Sequence, residues 1–185
     1  MEIDLLKKYV EEGIDARRSL PLLSILEASR ILYDKLMKGG KLITFGNGGS
    51  AADAQHFAAE LSGRFLKERR SLPAVALTTN TSSITAIGND YDYSEIFSRQ
   101  IDGICNRDDF VVGISTSGNS LNVVKGIQKA REKGAFTLAL TGRKGGKLAE
   151  VADMSIKVNS DLTPIIQEVH IAIIHMICYS LDSML

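Results

Sequence analysis

A doubly wound α/β fold, with a three-layer parallel β-sheet carrying helices on both faces, is predicted by three features of the 185-residue sequence. From Lys41 onward, short apolar runs alternate with helical patterns. The runs are mostly continuous, as strands covered on both faces require. The junctions between run and helix are rich in Gly, Ser, Thr and Asn, the residues of tight polar turns. Strands separated by helices imply right-handed βαβ units. The expected strands are 42–45, 74–77, 110–114, 136–140 and 154–158, and the intervening helices are 51–61, 94–104, 121–133 and 146–151.

Ahead of this core, residues 2–11 read as a short amphipathic helix with Ile3, Leu6 and Val10 on one side. A second helix follows Pro21, with Leu22, Ile25, Leu26, Leu32 and Leu36 at helical spacing, and Gly39-Gly40 stops it. Neither contains chemistry; packing against the core or another subunit is their expected role. The chain closes with a long apolar helix over 164–181, with Thr163 as N-cap and Pro164 at the first helical position. Residues 1–185 are read as one domain, 1–40 being N-terminal helices and 41–185 the α/β core.

Composition narrows the function. Lys plus Arg equals Asp plus Glu at 22 each, so no general attraction to nucleic acid is expected. The cluster Lys67-Glu68-Arg69-Arg70 reads as a solvated loop. Two cysteines, Cys105 and Cys178, make neither a disulfide framework nor a thiolate metal site. The charged N-terminus is not a signal peptide, and no apolar run approaches the ~18 residues of a membrane span. A cytoplasmic protein is expected.

Sheets of this kind bind ligands beyond the carboxyl ends of their strands, which singles out three loops. Gly46-Asn47-Gly48-Gly49 leads from the first strand into a helix, where bare backbone and the helix N-terminus suit a phosphate or another anion. It has neither the dinucleotide spacing nor a P-loop lysine. Ser50 with Asp53 also reads as an ordinary capping pair. The second loop, 78–93, is polar and contains Asn89-Asp90. The third, Ser115-Thr116-Ser117-Gly118-Asn119-Ser120, offers four hydroxyls in six residues before a helix. With no lysine or arginine inside it, a small-metabolite phosphate suits it better than a triphosphate; a polar turn with Ser120 as N-cap is the plainer alternative.

All three histidines lie in two helices. His56 and Glu60 are four apart and share a face, as a surface ion pair would. Gln167, Glu168, His170 and His175 occur in the last helix, His175 in an apolar stretch that would equally suit a satisfied core histidine. His/Glu plus Gln/His is a ligand set acceptable to zinc, but Gln167 and His175 are eight residues apart, about 12 Å along a helix.

Taken together, GNGGSAADAQHFAAELSGRF, AIGNDYDYSEIFSRQ, GISTSGNS and IQEVHIAIIH resemble the phosphoheptose isomerases of the sugar-isomerase (SIS) domain family, from about Lys41 to Cys178. The resemblance implies the SIS fold, a homotetramer with active sites at subunit boundaries, and conversion of sedoheptulose 7-phosphate to D-glycero-D-manno-heptose 7-phosphate for activated-heptose and surface-glycan biosynthesis. It implies one zinc per subunit on the positions matching His56, Glu60, Gln167 and His175, with Glu60 and His175 as the acid–base pair. Sugar-phosphate contacts would fall on Asn47, Gly48, Gly49, Asn89, Asp90, Ser115, Thr116, Ser117, Ser120 and Gln167. Where many members carry arginine two residues before the glutamine, this chain has Ile165. The alternative is a non-catalytic SIS module that binds a phosphosugar or a replication-initiator protein. In that type the positions of Glu60 and His175 are not both kept, whereas here both are present. An SIS transcription regulator would carry a DNA-binding helical domain ahead of the fold, and the first forty residues lack a basic recognition helix.

Overall fold

The computed structural model describes residues 2–185. In chain order the elements are α1 (Glu2–Arg18), α2 (Leu22–Met37), β1 (Leu42–Gly46), α3 (Gly49–Ser62), β2 (Ala74–Ala76), α4 (Thr81–Asp90), a 3-10 turn (Tyr93–Glu95), α5 (Ser98–Ile104), β3 (Phe110–Ser115), α6 (Leu121–Glu132), β4 (Phe136–Gly142), α7 (Gly146–Val151), β5 (Met154–Val158) and α8 (Thr163–Met184). The five strands form an all-parallel sheet in the order β2-β1-β3-β4-β5. This is the doubly wound α/β fold the sequence predicts.

The period-two geometry of a strand sends alternate side chains to opposite layers. Leu42, Phe110, Val112, Ile114, Leu138 and Leu140 meet Leu32, Phe57, Leu61, Ile173 and Ile177 of α2, α3 and α8 in one core. Ile43, Phe45, Val111 and Ala139 meet Phe97 just before α5, Ile101 of α5, and Val123 and Ile127 of α6 in the other. The two starts of β1 and β3 are tied by Asp109, a fully buried carboxylate that accepts from the Lys41 backbone N–H at 3.0 Å, Lys41 Nζ at 2.8 Å and the Asn106 N–H at 2.9 Å. From β1 the chain winds outward to β2 and then returns to β3 on the other side. The C-terminal ends of β1 and β3, where Gly46 pairs with Ile114, therefore flank the crevice at which doubly wound sheets take ligands.

Several boundaries differ from expectation. The first helix runs on to Arg18, and Ile3, Leu6 and Val10 are exposed rather than packed. The loop expected over 78–93 contains α4, begun by Asn80, whose side chain accepts from the Ser83 N–H at 3.0 Å. Its β-branched residues and Gly88 mask the helical period, and only Ile84 and Ile87 reach the core. The helix expected over 94–104 is a 3-10 turn followed by the shorter α5. Thr163 lies inside α8, with Leu162 at the capping position. By length and composition α8 could cross a membrane, contrary to the reading from run length. Here Ile165, Val169, Ile173, Ile174 and Ile177 fill the core, as in the central helix of a packed α/β layer. Lys67–Arg70 is not simply a solvated loop: the side chain of Arg69 is only 6% exposed, its Nε 3.0 Å from Asp182 Oδ1.

Candidate active site

The helical period places Gly49, Asp53, His56 and Glu60 along one stripe of α3. That stripe faces α8, which runs parallel to it. At the N-terminal end the Gln167 amide packs on Gly49 so closely that an added Cβ would lie 2.4 Å from Gln167 Nε2. Two turns on, His56 Nε2 lies 3.0 Å from His175 Nε2 and 2.9 Å from Glu60 Oε1. The two rings are tilted at 58° with centroids 5.1 Å apart, and the Phe65 ring packs against His175 with centroids 5.8 Å apart. At the C-terminal end Arg69 donates to the Glu60 carbonyl at 2.8 Å and pairs with Asp182. Asp182 also accepts from the Leu66 and Lys67 N–H groups at 3.0 and 2.9 Å, so the segment after α3 is clasped to α8.

One nitrogen or oxygen from each of His56, Glu60 and His175 lies within 4.8 Å of the others. Ligand atoms about 2.0–2.2 Å from a tetrahedral ion stand roughly 3.3 Å apart, so this donor set fits a metal ion without rebuilding the backbone. A single N–H on His56 Nε2 cannot serve both neighbours well, which is the arrangement expected of lone pairs gathered for a cation. His175, in an apolar stretch, is thus not a sequestered core histidine. His170 is: it is fully buried, neither ring nitrogen has a hydrogen-bond partner among the described residues, and burial pushes its pKa down to about 4, offset in part by the nearby Thr141 backbone. Asp53 lies between Gly49 and His56. Burial pushes its carboxyl up to about 6 against the opposing pull of His56, and its Oδ2 has no partner among the described residues. Burial also raises the Cys178 thiol to about 12, with Glu60 and Asp182 adding to the effect.

The glycine turn faces this seam from β1. Gly48, at φ +56°, occupies the capping position of α3. Ser50 therefore sits inside the helix, buried, rather than capping it. Asn47 lies at the mouth of the crevice in a reciprocal amide pair with Asn122.

The hydroxyl loop stands opposite. Ser115 Oγ is 3.0 Å from Ser120 Oγ and 3.5 Å from Ser117 Oγ, and Ser120 makes no side-chain cap to α6. Gly118, at φ +68°, approaches so near that a Cβ would lie 1.9 Å from the Gly145 carbonyl oxygen; no other residue fits there. On the outer side of the loop, Thr116, Ser117 and Asn119 share a cleft of about 370 Å³ with Arg143, Lys144 and Asp161. The cations absent from the loop itself are thus brought beside it from the end of β4.

Asn89 and Asp90 lie exposed at the end of α4, bonded to each other at 3.0 Å. Among the described residues, the link from this segment to the glycine turn is the Tyr93 hydroxyl, which donates to Asn47 Oδ1 at 3.3 Å. Ile165 is completely buried in the core. At this position the chain packs its interior rather than presenting a side chain to a ligand. Asn122, Tyr93 and the Arg69–Asp182 clasp were not singled out by sequence reasoning. The one signal for the clasp was Asp182, a carboxylate in the mostly apolar C-terminal half of α8.

The SIS domain family matches residues 8–142 of the chain. A protein of Thermoplasma volcanium named as a probable phosphoheptose isomerase is 59% identical over 178 residues, covering 96% of this chain and 91% of that one. A phosphoheptose isomerase of Aquifex aeolicus is 48% identical over 185 residues, covering 98% and 97%. The solved structure of the phosphoheptose isomerase from Neisseria gonorrhoeae superposes with a TM-score of 0.92 at 42% identity, covering 99% of this chain and 100% of that one. With these matches spanning nearly its whole length, the chain belongs to the SIS domain family, among the proteins named phosphoheptose isomerases.

Proposed function

We propose that the chain is a cytoplasmic phosphoheptose isomerase that interconverts sedoheptulose 7-phosphate and D-glycero-D-manno-heptose 7-phosphate through an enediol, its product feeding activated-heptose and surface-glycan biosynthesis. The observation that carries this is the convergence of Glu60 and His175, from two helices, on His56 at 2.9 and 3.0 Å. Aldose–ketose isomerisation needs a base at carbon and an acid at oxygen. Glu60 takes the proton from C1 and returns it to C2. His175, across the seam, delivers and recovers the proton at the neighbouring oxygen. His56, Glu60 and His175, with Gln167 as the fourth candidate ligand, would hold zinc, which when bound supplies Lewis-acid polarisation of the carbonyl.

Phosphate binding is assigned to Ser115, Thr116, Ser117 and Ser120, whose hydroxyls lie together ahead of α6. Asn47, Gly48, Gly49 and Gln167 are assigned to the sugar chain's side of the crevice, and Asn89 and Asp90 to further contacts with the sugar phosphate. The exposed Ile3, Leu5, Leu6 and Val10 of α1 support assembly into a homotetramer, whose subunit boundaries complete the active sites.

The test is proton NMR of chelator-treated protein with sedoheptulose 7-phosphate in D₂O, before and after zinc. Aldose signals that appear or accelerate with zinc are expected, and Glu60→Gln should fold normally and show no turnover. Full activity of that variant would overturn the assignment. Absence of turnover in the unaltered protein under both conditions would favour a non-catalytic phosphosugar-binding module.

A further inference from the structure

Asn47 and Asn122 form a closed pair. Asn47 Nδ2 donates to Asn122 Oδ1 at 2.9 Å, and Asn122 Nδ2 donates to Asn47 Oδ1 at 2.9 Å. The orientation of the amides follows from the backbone. Asn122 Oδ1 also accepts from the Val123 N–H at 2.9 Å, so that atom is oxygen, and its NH₂ must face the oxygen of Asn47. Asn122 is only 3% exposed, which holds the pair in one place. Asn47 Oδ1 accepts a second hydrogen bond from the Tyr93 hydroxyl. A carboxamide has two acceptor sites and two donor hydrogens. Both acceptor sites of Asn47 are filled and one hydrogen is used. A single N–H remains, on a half-buried side chain in the glycine turn.

We propose that Asn122 is a positioning residue: with Tyr93 it locks the Asn47 carboxamide so that this side chain offers the substrate one donor and no acceptor. The inference rests on the isomerase reading and deepens it, because Asn47 can then bind only an acceptor oxygen of the sugar phosphate, whether carbonyl, hydroxyl or phosphate. It also joins the glycine turn to the first turn of α6, so that the two candidate anion loops keep a fixed spacing.

The experiment is a double-mutant cycle in kcat/KM with Asn47→Ala, Asn122→Ala and both together. Each single change is expected to cost about tenfold, the worth of one oriented hydrogen bond, and the double change no more than Asn47→Ala alone. Losses that multiply to about a hundredfold would mean that Asn122 acts independently of Asn47, and would overturn the proposal. If Asn122→Ala does not fold, Tyr93→Phe on the exposed side of the pair serves in its place. Its loss should vanish in the Asn47→Ala background, and no loss, or a loss that persists there, would overturn the proposal.

A second readout needs no turnover. In nitrogen-resolved NMR, one of the two Asn47 side-chain protons should exchange slowly in the unaltered protein, and that proton should exchange fast in Asn122→Ala or, failing that, faster in Tyr93→Phe, where the Asn47 oxygen is held by one partner fewer. Equal exchange of the two in the unaltered protein would refute the lock. If the unaltered protein shows no isomerisation, the functional reading falls and this measurement alone decides the positioning.

Discussion

Replacing Gly49 by alanine should separate stability from activity. The added Cβ would stand 2.4 Å from Gln167 Nε2, 2.7 Å from its Cδ and 2.9 Å from its Oε1. Unstrained contacts need about 3.5 Å, so the amide must retreat by roughly 1 Å. The backbone of α8 cannot follow, because Ile165, Ile166 and Val169 on either side are buried in the core. Only the Gln167 torsions can yield, at a cost of about 0.5–1.5 kcal/mol. Alanine returns up to ~1 kcal/mol relative to glycine in a helix interior and less at this first position, so net stability should change by no more than about 1.5 kcal/mol. Activity should not survive as well, since a misplacement of about 1 Å in a positioning group can cost ~100-fold. The assay is kcat/KM for sedoheptulose 7-phosphate beside the denaturation midpoint, repeated in a Gln167→Ala background. There the clash is gone, and the alanine should add no further loss. Activity within about threefold of the unaltered protein would refute the reasoning. A full loss persisting without Gln167 would show instead that the methyl group obstructs the substrate directly.

Asp182→Ala should leave Arg69 buried without its partner and lower stability by about 3–5 kcal/mol, measured by urea denaturation; a loss below about 1 kcal/mol would mean the loop after α3 finds other partners. The pH dependence of stability should combine two opposed contributions. His170, pushed down to about 4 by burial, binds its proton more weakly when folded. Its contribution is whole above the unfolded value near 6.5, is lost as pH falls toward 4, and amounts to about 3 kcal/mol. Asp53, pushed up to about 6 by burial, binds its proton more tightly when folded. Stability from that source is whole below about 4 and is lost as pH rises through 6, by ~1–2 kcal/mol after allowing for solvent screening. Asp53→Asn should therefore gain stability at neutral pH and fall more steeply between pH 6 and 4; a curve parallel to that of the unaltered protein would contradict this. Charging the exposed face of α1 with Leu5→Glu and Leu6→Glu should shift the mass seen by light scattering below that of the assembled protein, while an unchanged mass would remove α1 from the interface.

The sheet was readable because buried parallel strands leave continuous apolar runs, and all five runs became strands. What hid α4 was its content: β-branched residues and a glycine give weak helical periodicity, and an asparagine cap resembles a loop residue. The candidate site was readable by residue type more than by position. His56 and Glu60 share a face through local spacing alone. Their meeting with His175 depends on a contact across 119 residues, which no local pattern encodes. Asn122 and Arg69 were missed for the same reason. Each looks like a solvated polar residue until the fold supplies Asn47 or Asp182 as its partner.

That long-range contact follows from the winding of the sheet. Helix α3 leaves β1 and α8 follows β5, two strands separated by β3 and β4, yet both cover the same face, because their apolar sides share one core. Running parallel, they match their lengths in register: Gly49 with Gln167, His56 with His175, and the Glu60 carbonyl with Asp182 through Arg69. Phe57 and Leu61 on one helix, and Ile173, Ile174 and Ile177 on the other, lock both backbones into the core. The polar side chains of the seam therefore have torsional freedom but little backbone freedom, a preorganisation that favours precise placement of reacting groups. Substitutions there should act on turnover before they act on folding. The clasp at Arg69–Asp182 is the point where that separation must fail, because there the same contacts hold the chain and the Glu60 carbonyl.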